Sequence, residues 1–129
     1  DGAEAGEQLV VDFLGHLLRD GGDVALHRHQ FFRLVFRQAA ELAAVCALNA
    51  IAAVKSVVGD LDRVERVVKV VGFVASDPSF TGQPGVINGA SELLAEIFGE
   101  SGQHARSAVG VAVLPLDAPV EVEFVFEFA

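Results

Sequence analysis

Residues 104–128 read His104-Ala105-Arg106-Ser107-Ala108-Val109-Gly110-Val111-Ala112-Val113-Leu114-Pro115, then Leu116-Asp117-Ala118-Pro119, then Val120-Glu121-Val122-Glu123-Phe124-Val125-Phe126-Glu127-Phe128. The final run alternates apolar and acidic residues with period two, the mark of a strand with one dry and one charged face. The segment before it is also strand-like, and Pro-Leu-Asp-Ala-Pro supplies a turn. The two strands are expected to form a β-hairpin. Val120, Val122, Phe124, Phe126 and Phe128 share one face, and Glu121, Glu123 and Glu127 the other. On the first strand Ser107, Val109, Val111 and Val113 oppose Arg106, Ala108, Gly110 and Ala112. A one-residue slip would bury carboxylates, so the apolar faces should coincide. That alignment puts Arg106 beside the glutamates, over a floor of small residues. Two readings fit: a concave polar site, or a solvated outer face with a surface ion pair.

Outward from this stretch the chain alternates helix and strand signals. Gln38 to Val58 reads as a long helix, apolar on more than one side (Leu42, Val45, Leu48, Ile51, Val54, Val58), as expected of a helix buried against a sheet. Gly59-Asp60 ends it. Arg63 to Ala75 is a valine-rich strand. Ser76 to Gly85 is a loop containing Pro78 and Pro84. Val86 to Phe98 is a second helix stopped by Gly99, and Glu100 to Ala105 is a polar loop. Upstream, Leu9 to Leu18 and Val24 to Leu26 read as a hairpin around Arg19-Asp20-Gly21-Gly22-Asp23. His27 to Phe36 fits neither a clean strand nor a clean helix. Residues 1–8, rich in Gly and Glu, are expected to fray. The order implies one α+β domain over residues 1–129, with both helices on one face of a mixed sheet. The opposite face then meets solvent or another subunit.

Composition narrows the function. A chain of 129 residues buries a real core without staples. An apolar fraction of 52% is high for a monomer and implies surface hidden by self-association. The net charge is −9 and the pI about 4.7, with nine Lys and Arg against eighteen Asp and Glu. Arg63, Arg66 and Lys69 are interleaved with Asp62 and Glu65, so no basic patch forms and nucleic acid is a disfavoured partner. No apolar run reaches about 18 residues without a charge or a glycine, so no membrane span is expected. No signal-peptide pattern is visible. The single Cys46 excludes an intrachain disulfide and reads as a small buried hydrophobe, consistent with a reducing, cytoplasmic setting. His27 and His29 lack partner ligands, so no metal is expected. His104 reads as an exposed loop histidine, or as a neighbour that tunes a substrate acid. Gly21-Gly22 and Gly85 fit no phosphate-loop pattern, no cofactor is implied, and no Ser-His-Asp arrangement emerges.

Arg106-Ser107-Ala108-Val109-Gly110-Val111, followed by Leu114-Pro115 and Val120-Glu121-Val122-Glu123, resembles the C-terminal signature of the RidA/YjgF family. Its members include imine and enamine deaminases, often labelled endoribonuclease L-PSP or translation initiation inhibitor. Gln38-Ala39-Ala40 through Leu48-Asn49-Ala50 resembles the family's first helix. Gly59-Asp60-Leu61-Asp62-Arg63-Val64 with Val67-Val68-Lys69-Val70 resembles its helix-to-strand passage. Val86-Ile87-Asn88-Gly89-Ala90-Ser91 with Ile97-Phe98-Gly99 resembles its second helix. The likeness covers about Gln38 to Phe128.

The resemblance implies a chorismate mutase-like fold and a homotrimer whose sheets surround a central barrel, with clefts between subunits. It implies hydrolytic deamination of reactive imines or enamines derived from amino acids, with a small carboxylate as ligand. Arg106 would hold the substrate carboxylate, as a guanidinium can bidentately. Glu121 and the carbonyl of Ala108 would place and activate the attacking water. Asn88 matches a family helix asparagine near the site; a helix cap or loop hydrogen bond is its other reading. Many deaminating members have Cys where this chain has Ala108. A family tyrosine of the second helix is replaced by Ser91, and a Ser-Gly pair of the early strand by Leu14-Gly15. These departures keep a second class open: a non-enzymatic trimer that binds small carboxylates or protein partners.

Overall fold

The structure, a computed structural model, describes residues 7–15 and 28–129, with side-chain surroundings from Val35 onward. Strand β1 (Glu7–Gly15) precedes helix α1 (Arg28–Val58), strand β2 (Val64–Ala75), helix α2 (Gln83–Phe98), strand β3 (Ala105–Val111) and strand β4 (Val120–Phe128). Gly59 ends α1 at φ +83°, its N–H donating to the Lys55 carbonyl at 2.9 Å, a left-handed cap that favours glycine. Pro84 sits in the first turn of α2, where a missing N–H costs nothing. Between β3 and β4, Leu116 and Asp117 both take φ +57°, which is uncommon without glycine.

The sheet order is β1-β4-β2-β3, with β2 and β3 parallel and the other two pairs antiparallel. This corrects the expected hairpin: β3 and β4 are not neighbours, because β2 lies between them. It also corrects the faces. Arg106 pairs with Val70 and Val70 with Phe124; Ala108 pairs with Gly72 and Gly72 with Val122. Ser107 and Val109 align with Glu123 and Glu121 through Val71 and Phe73. Paired residues share a face, so Arg106 lies on the phenylalanine side of the sheet and Glu121 on the other.

The reason is steric. Helix α2 crosses close over β2 and β3. A Cβ at Gly72 would lie 2.3 Å from the Ile87 side chain, and one at Gly110 would lie 2.7 Å from Gln83 Nε2. At Gly72 and Gly110 α2 leaves little room for a side chain, and the valine row of β3 turns to the open face. The helices meet as tightly: a Cβ at Gly89 would lie 1.9 Å from the Ala40 carbonyl oxygen.

Both helices pack on one face, as expected. The core joins Val120, Val122, Phe124 and Phe126 of β4 to Val67, Val70 and Val74 of β2, all buried. Ala43, Cys46, Ala47, Ala50 and Val54 of α1 and Ile87 and Leu94 of α2 close it. By length and composition alone, Val35–Val58 could cross a membrane, with a mean hydropathy of 1.7. It carries Arg37, Glu41 and Lys55, and its inner stripe lies in this core.

Helix α1 begins at Arg28 and takes in most of the ambiguous segment, placing His29 on a helix; His27 lies outside the described residues. Of the upstream hairpin, Glu7–Gly15 is a strand paired with β4, and Val24 to Leu26 lies outside the described residues. Glu7 and Gln8, expected to fray, open β1, while residues 1–6 also lie outside.

Candidate functional site

Arg106 enters from the second position of β3, on the side facing α2. Its Nη1 donates to Asn88 Oδ1 at 2.7 Å and to Ser91 Oγ at 3.1 Å. Asn88 and Ser91 are three residues apart on α2 and so lie on one helix face. Asn88 is inside the helix, not at its cap, and its side chain faces Arg106. Among the described residues, Arg106 Nε and Nη2 have no protein acceptor. One edge of the guanidinium is braced and the other is open to a ligand.

The brace extends to His104, which sits in the loop before β3. Ser91 Oγ and His104 Nε2 are 2.9 Å apart, and His104 Nδ1 lies 2.6 Å from the Gly102 carbonyl. A carbonyl can only accept, so Nδ1 carries a proton. His104 is therefore half-buried with both ring nitrogens engaged, not the exposed loop histidine expected. Gly102 is packed so closely on α2 that a Cβ there would lie 2.3 Å from the Leu94 carbonyl oxygen, and this holds the acceptor still. Ser91, Ala95, Gly102, Gln103, His104 and Arg106 line a shallow recess of about 380 Å³. A larger recess of about 820 Å³, lined in part by Ser76, Asp77, Gln83 and Gly110, lies at the other end of β3 and includes neither Arg106 nor Glu121.

Ala108 is two positions along β3 from Arg106, half-buried and packed against the core. The Val111 carbonyl accepts from the Ser76 N–H at 3.0 Å, so it points toward β2. Carbonyls alternate sides along a strand, and no register break interrupts β3. Ala108, an odd number of positions away, therefore turns its carbonyl off the free edge of the sheet. Glu121 is half-buried on the opposite face. Two strand spacings and three residues of rise put it on the order of 14 Å from Arg106 along the sheet. Within one chain the structure gathers Arg106, Asn88 and the Ala108 carbonyl at one edge, and leaves Glu121 apart.

A profile described as "YjgF/chorismate_mutase-like, putative endoribonuclease" matches residues 34–129. The chain belongs to this YjgF family. The resemblance seen in residues 38–128 is thereby borne out. Protein TCP17 of Trypanosoma cruzi is 50% identical over 95 residues, covering 73% of this chain and 59% of TCP17. The crystal structure of Atu1372 from Agrobacterium tumefaciens, of unknown function, is 48% identical with a TM-score of 0.71, covering 73% of this chain and 61% of that one. A structure from Shewanella oneidensis described as a "putative endoribonuclease" is 28% identical with a TM-score of 0.77, covering 98% of this chain and 82% of that one. The chain thus spans about three fifths of the length of TCP17 and of Atu1372.

Set within the YjgF family, the site links Ser91, read from the sequence only as the replacement of a family tyrosine, to His104, one of whose two readings was a neighbour of the substrate group. A signal existed. Asn88, Ser91 and Ala95 follow a helical i, i+3, i+7 pattern that aims one small polar face at the Arg106 edge. The pair does not read as a Ser-His-Asp set because the third partner is a backbone carbonyl.

Proposed function

We propose that the chain deaminates reactive imines or enamines of amino acids hydrolytically, at pockets formed between copies of itself in a homotrimer. The observation that carries this reading is the braced Arg106. Nη1 is fixed by Asn88 and Ser91, while Nε and Nη2 stay open beside the free edge of β3. A planar fork held on one side is suited to a carboxylate on the other. The Ala108 carbonyl, directed off the same edge, can accept from a water placed against the C=N carbon. Glu121, on the far face of its own chain, reaches such a water only from a second copy. Bare imines also hydrolyse unaided, so the main contribution of the site is orientation. Among the described residues, three further arginines are otherwise engaged. Arg63 donates to the Val58 and Ala129 carbonyls, Arg66 to Glu127, and Arg37 pairs with Glu41.

A second reading, a carboxylate-binding trimer without catalysis, is favoured by one observation: a single chain holds the anchor without the carboxylate. The deciding experiment couples an amino-acid oxidase, which releases an imine, to the purified protein and follows keto-acid release. Faster release in its presence is expected. Arg106→Ala and Arg106→Lys should weaken carboxylate binding about ten- to hundredfold, the loss of about 1.5–3 kcal/mol that goes with a charged hydrogen-bond partner. Glu121→Ala should lower kcat by about a hundredfold or more while leaving carboxylate affinity in place. Unaltered keto-acid release in the presence of wild-type protein, with carboxylate binding intact, leaves the binding module. A monomer in light scattering removes the shared pocket from both readings.

A further inference from the structure

The hydrogen-bond chain at the β3 edge is longer than a carboxylate anchor requires. Asn88 alone would brace Nη1. Ser91 adds a group with a transferable proton, and His104 adds a ring nitrogen that can give or take one. Ser91 Oγ accepts from Arg106 and sits 2.9 Å from His104 Nε2, while His104 Nδ1–H is tied to the Gly102 carbonyl at 2.6 Å. Nε2 is thus the one nitrogen free to change its protonation, and Ser91 is its hydrogen-bond partner.

The two states of the ring set the direction of the hydroxyl. With His104 neutral, Ser91 gives its proton to Nε2. With His104 as imidazolium, Nε2–H donates to Ser91 Oγ, and the hydroxyl proton turns outward into the recess that Arg106 also lines. The nitrogen of an α-imino acid is attached to the carbon next to its carboxylate. A substrate held by Arg106 therefore carries that nitrogen alongside the groups that flank the guanidinium.

We propose that Ser91 and His104 form a proton relay that activates the imine nitrogen of a substrate anchored on Arg106. The relay rests on the deaminase reading above. In the first step Ser91 Oγ–H passes its proton to the imine nitrogen and takes one from His104 Nε2, giving an iminium and neutral His104. Water then forms the C–O bond, the C=N pair moves to nitrogen, and the displaced water proton goes to the partner copy's carboxylate at position 121. That carboxyl next protonates the amine nitrogen. The C–N bond breaks with its electrons on ammonia as the C–OH proton returns through Ser91 to Nε2. Imine and water become keto acid and ammonia, and every protein group recovers its starting proton. Ser91 and Ala95 of α2, Gly102 and Gln103 of the preceding turn, and Arg106 of β3 line the recess around His104. Arg106 is the one charged side chain among them.

The test measures imine hydrolysis by the intact protein, with oxidase in excess, from pH 5.5 to 8.5. It compares wild type, Ser91→Ala, Ser91→Thr and His104→Gln. Affinity for a 2-oxo acid is read in parallel by calorimetry. The first step consumes a proton held on Nε2, so the wild-type rate is expected to fall as pH rises. Ser91→Ala and His104→Gln should each lower the rate about ten- to a hundredfold and flatten that dependence, with 2-oxo acid affinity within about twofold for His104→Gln and reduced far less than the rate for Ser91→Ala, where Asn88 still braces Arg106. Ser91→Thr, which keeps a hydroxyl, should recover most of the rate. Active wild type with unchanged rates and profiles in Ser91→Ala and His104→Gln overturns the relay alone. So does a loss of rate matched by an equal loss of 2-oxo acid affinity, which marks the pair as a brace. Wild type that gives no acceleration overturns the relay together with the reading beneath it. Circular dichroism identifies a variant that fails to fold, and the other variant then decides.

Discussion

The two faces of the sheet share one strand and differ in what they ask of it. On the helix side, Val120, Val122, Phe124 and Phe126 of β4 are fully buried. On the open side, Glu121, Glu123, Val125 and Glu127 are half-buried, beside Phe73 of β2 and a 42% exposed Val109 of β3. The same period-two pattern serves a finished core on one face and an unfinished surface on the other. The difference also separates the candidate site. Arg106 belongs to the finished face, where α2 braces it, and Glu121 belongs to the unfinished one.

Two phenylalanines on opposite faces give the largest contrast. Phe124→Ala empties a fully enclosed position and should cost about 3–5 kcal/mol in urea unfolding. Phe73→Ala, on the open face, should cost about 1 kcal/mol or less in dilute protein. Stability of wild type that rises with protein concentration, with the Phe73→Ala deficit rising beside it, is the expected sign of copies covering that face. A Phe73→Ala cost equal to that of Phe124→Ala in dilute monomer would erase the distinction.

A smaller effect is expected where the buried face ends. Arg63 Nε donates to the Ala129 carbonyl at 2.6 Å and Nη1 to the Val58 carbonyl at 2.7 Å, with the guanidinium 5.7 Å from the Phe128 ring. It ties the end of α1 to the end of β4 across the rim of the core. Arg63→Ala should cost about 1–2 kcal/mol. Arg63→Lys should recover less than half of that, because one ammonium does not reproduce both arms of the fork. Full recovery by lysine would show that charge, not geometry, closes the rim.

The elements were legible from periodicity, and their neighbours were not. The alternation at 120–128 and the valine run at 64–75 each contain their own strand. Nothing within 104–128 says that β2 slots between β3 and β4. The parity of β3 was misread for a related reason. Its valines are more apolar than Arg106, Ala108 and Gly110, so hydrophobicity alone assigns them to the core. The close approach of Ile87 and Gln83 of α2 decides otherwise, and that proximity is a tertiary fact. Asn88 and Arg106 were legible through the family pattern. The link through Ser91 to His104 depends on a loop carbonyl, which no side-chain pattern encodes.

The smallest expected effect tests the dryness of the helix side directly. Cys46 of α1 is fully buried, and burial pushes its thiol from 9.0 to about 11, because the thiolate would lose its hydration. An unfolded thiol titrates at its ordinary value. Between about pH 9 and pH 11 the unfolded chain therefore releases a proton that the folded chain retains. The unfolded state then binds fewer protons, so stability falls as pH rises through this window, and below it the thiol adds no pH dependence. The chain has no tyrosine to overlap the thiol in this window. The urea midpoint of wild type should drop across the window, and Cys46→Ala should lack part of that drop. At pH 8 a thiol reagent should label Cys46 no faster than the protein unfolds. Parallel midpoints in wild type and variant, or rapid labelling of folded protein, would show that water reaches the helix side and that the two faces differ less than their burial indicates.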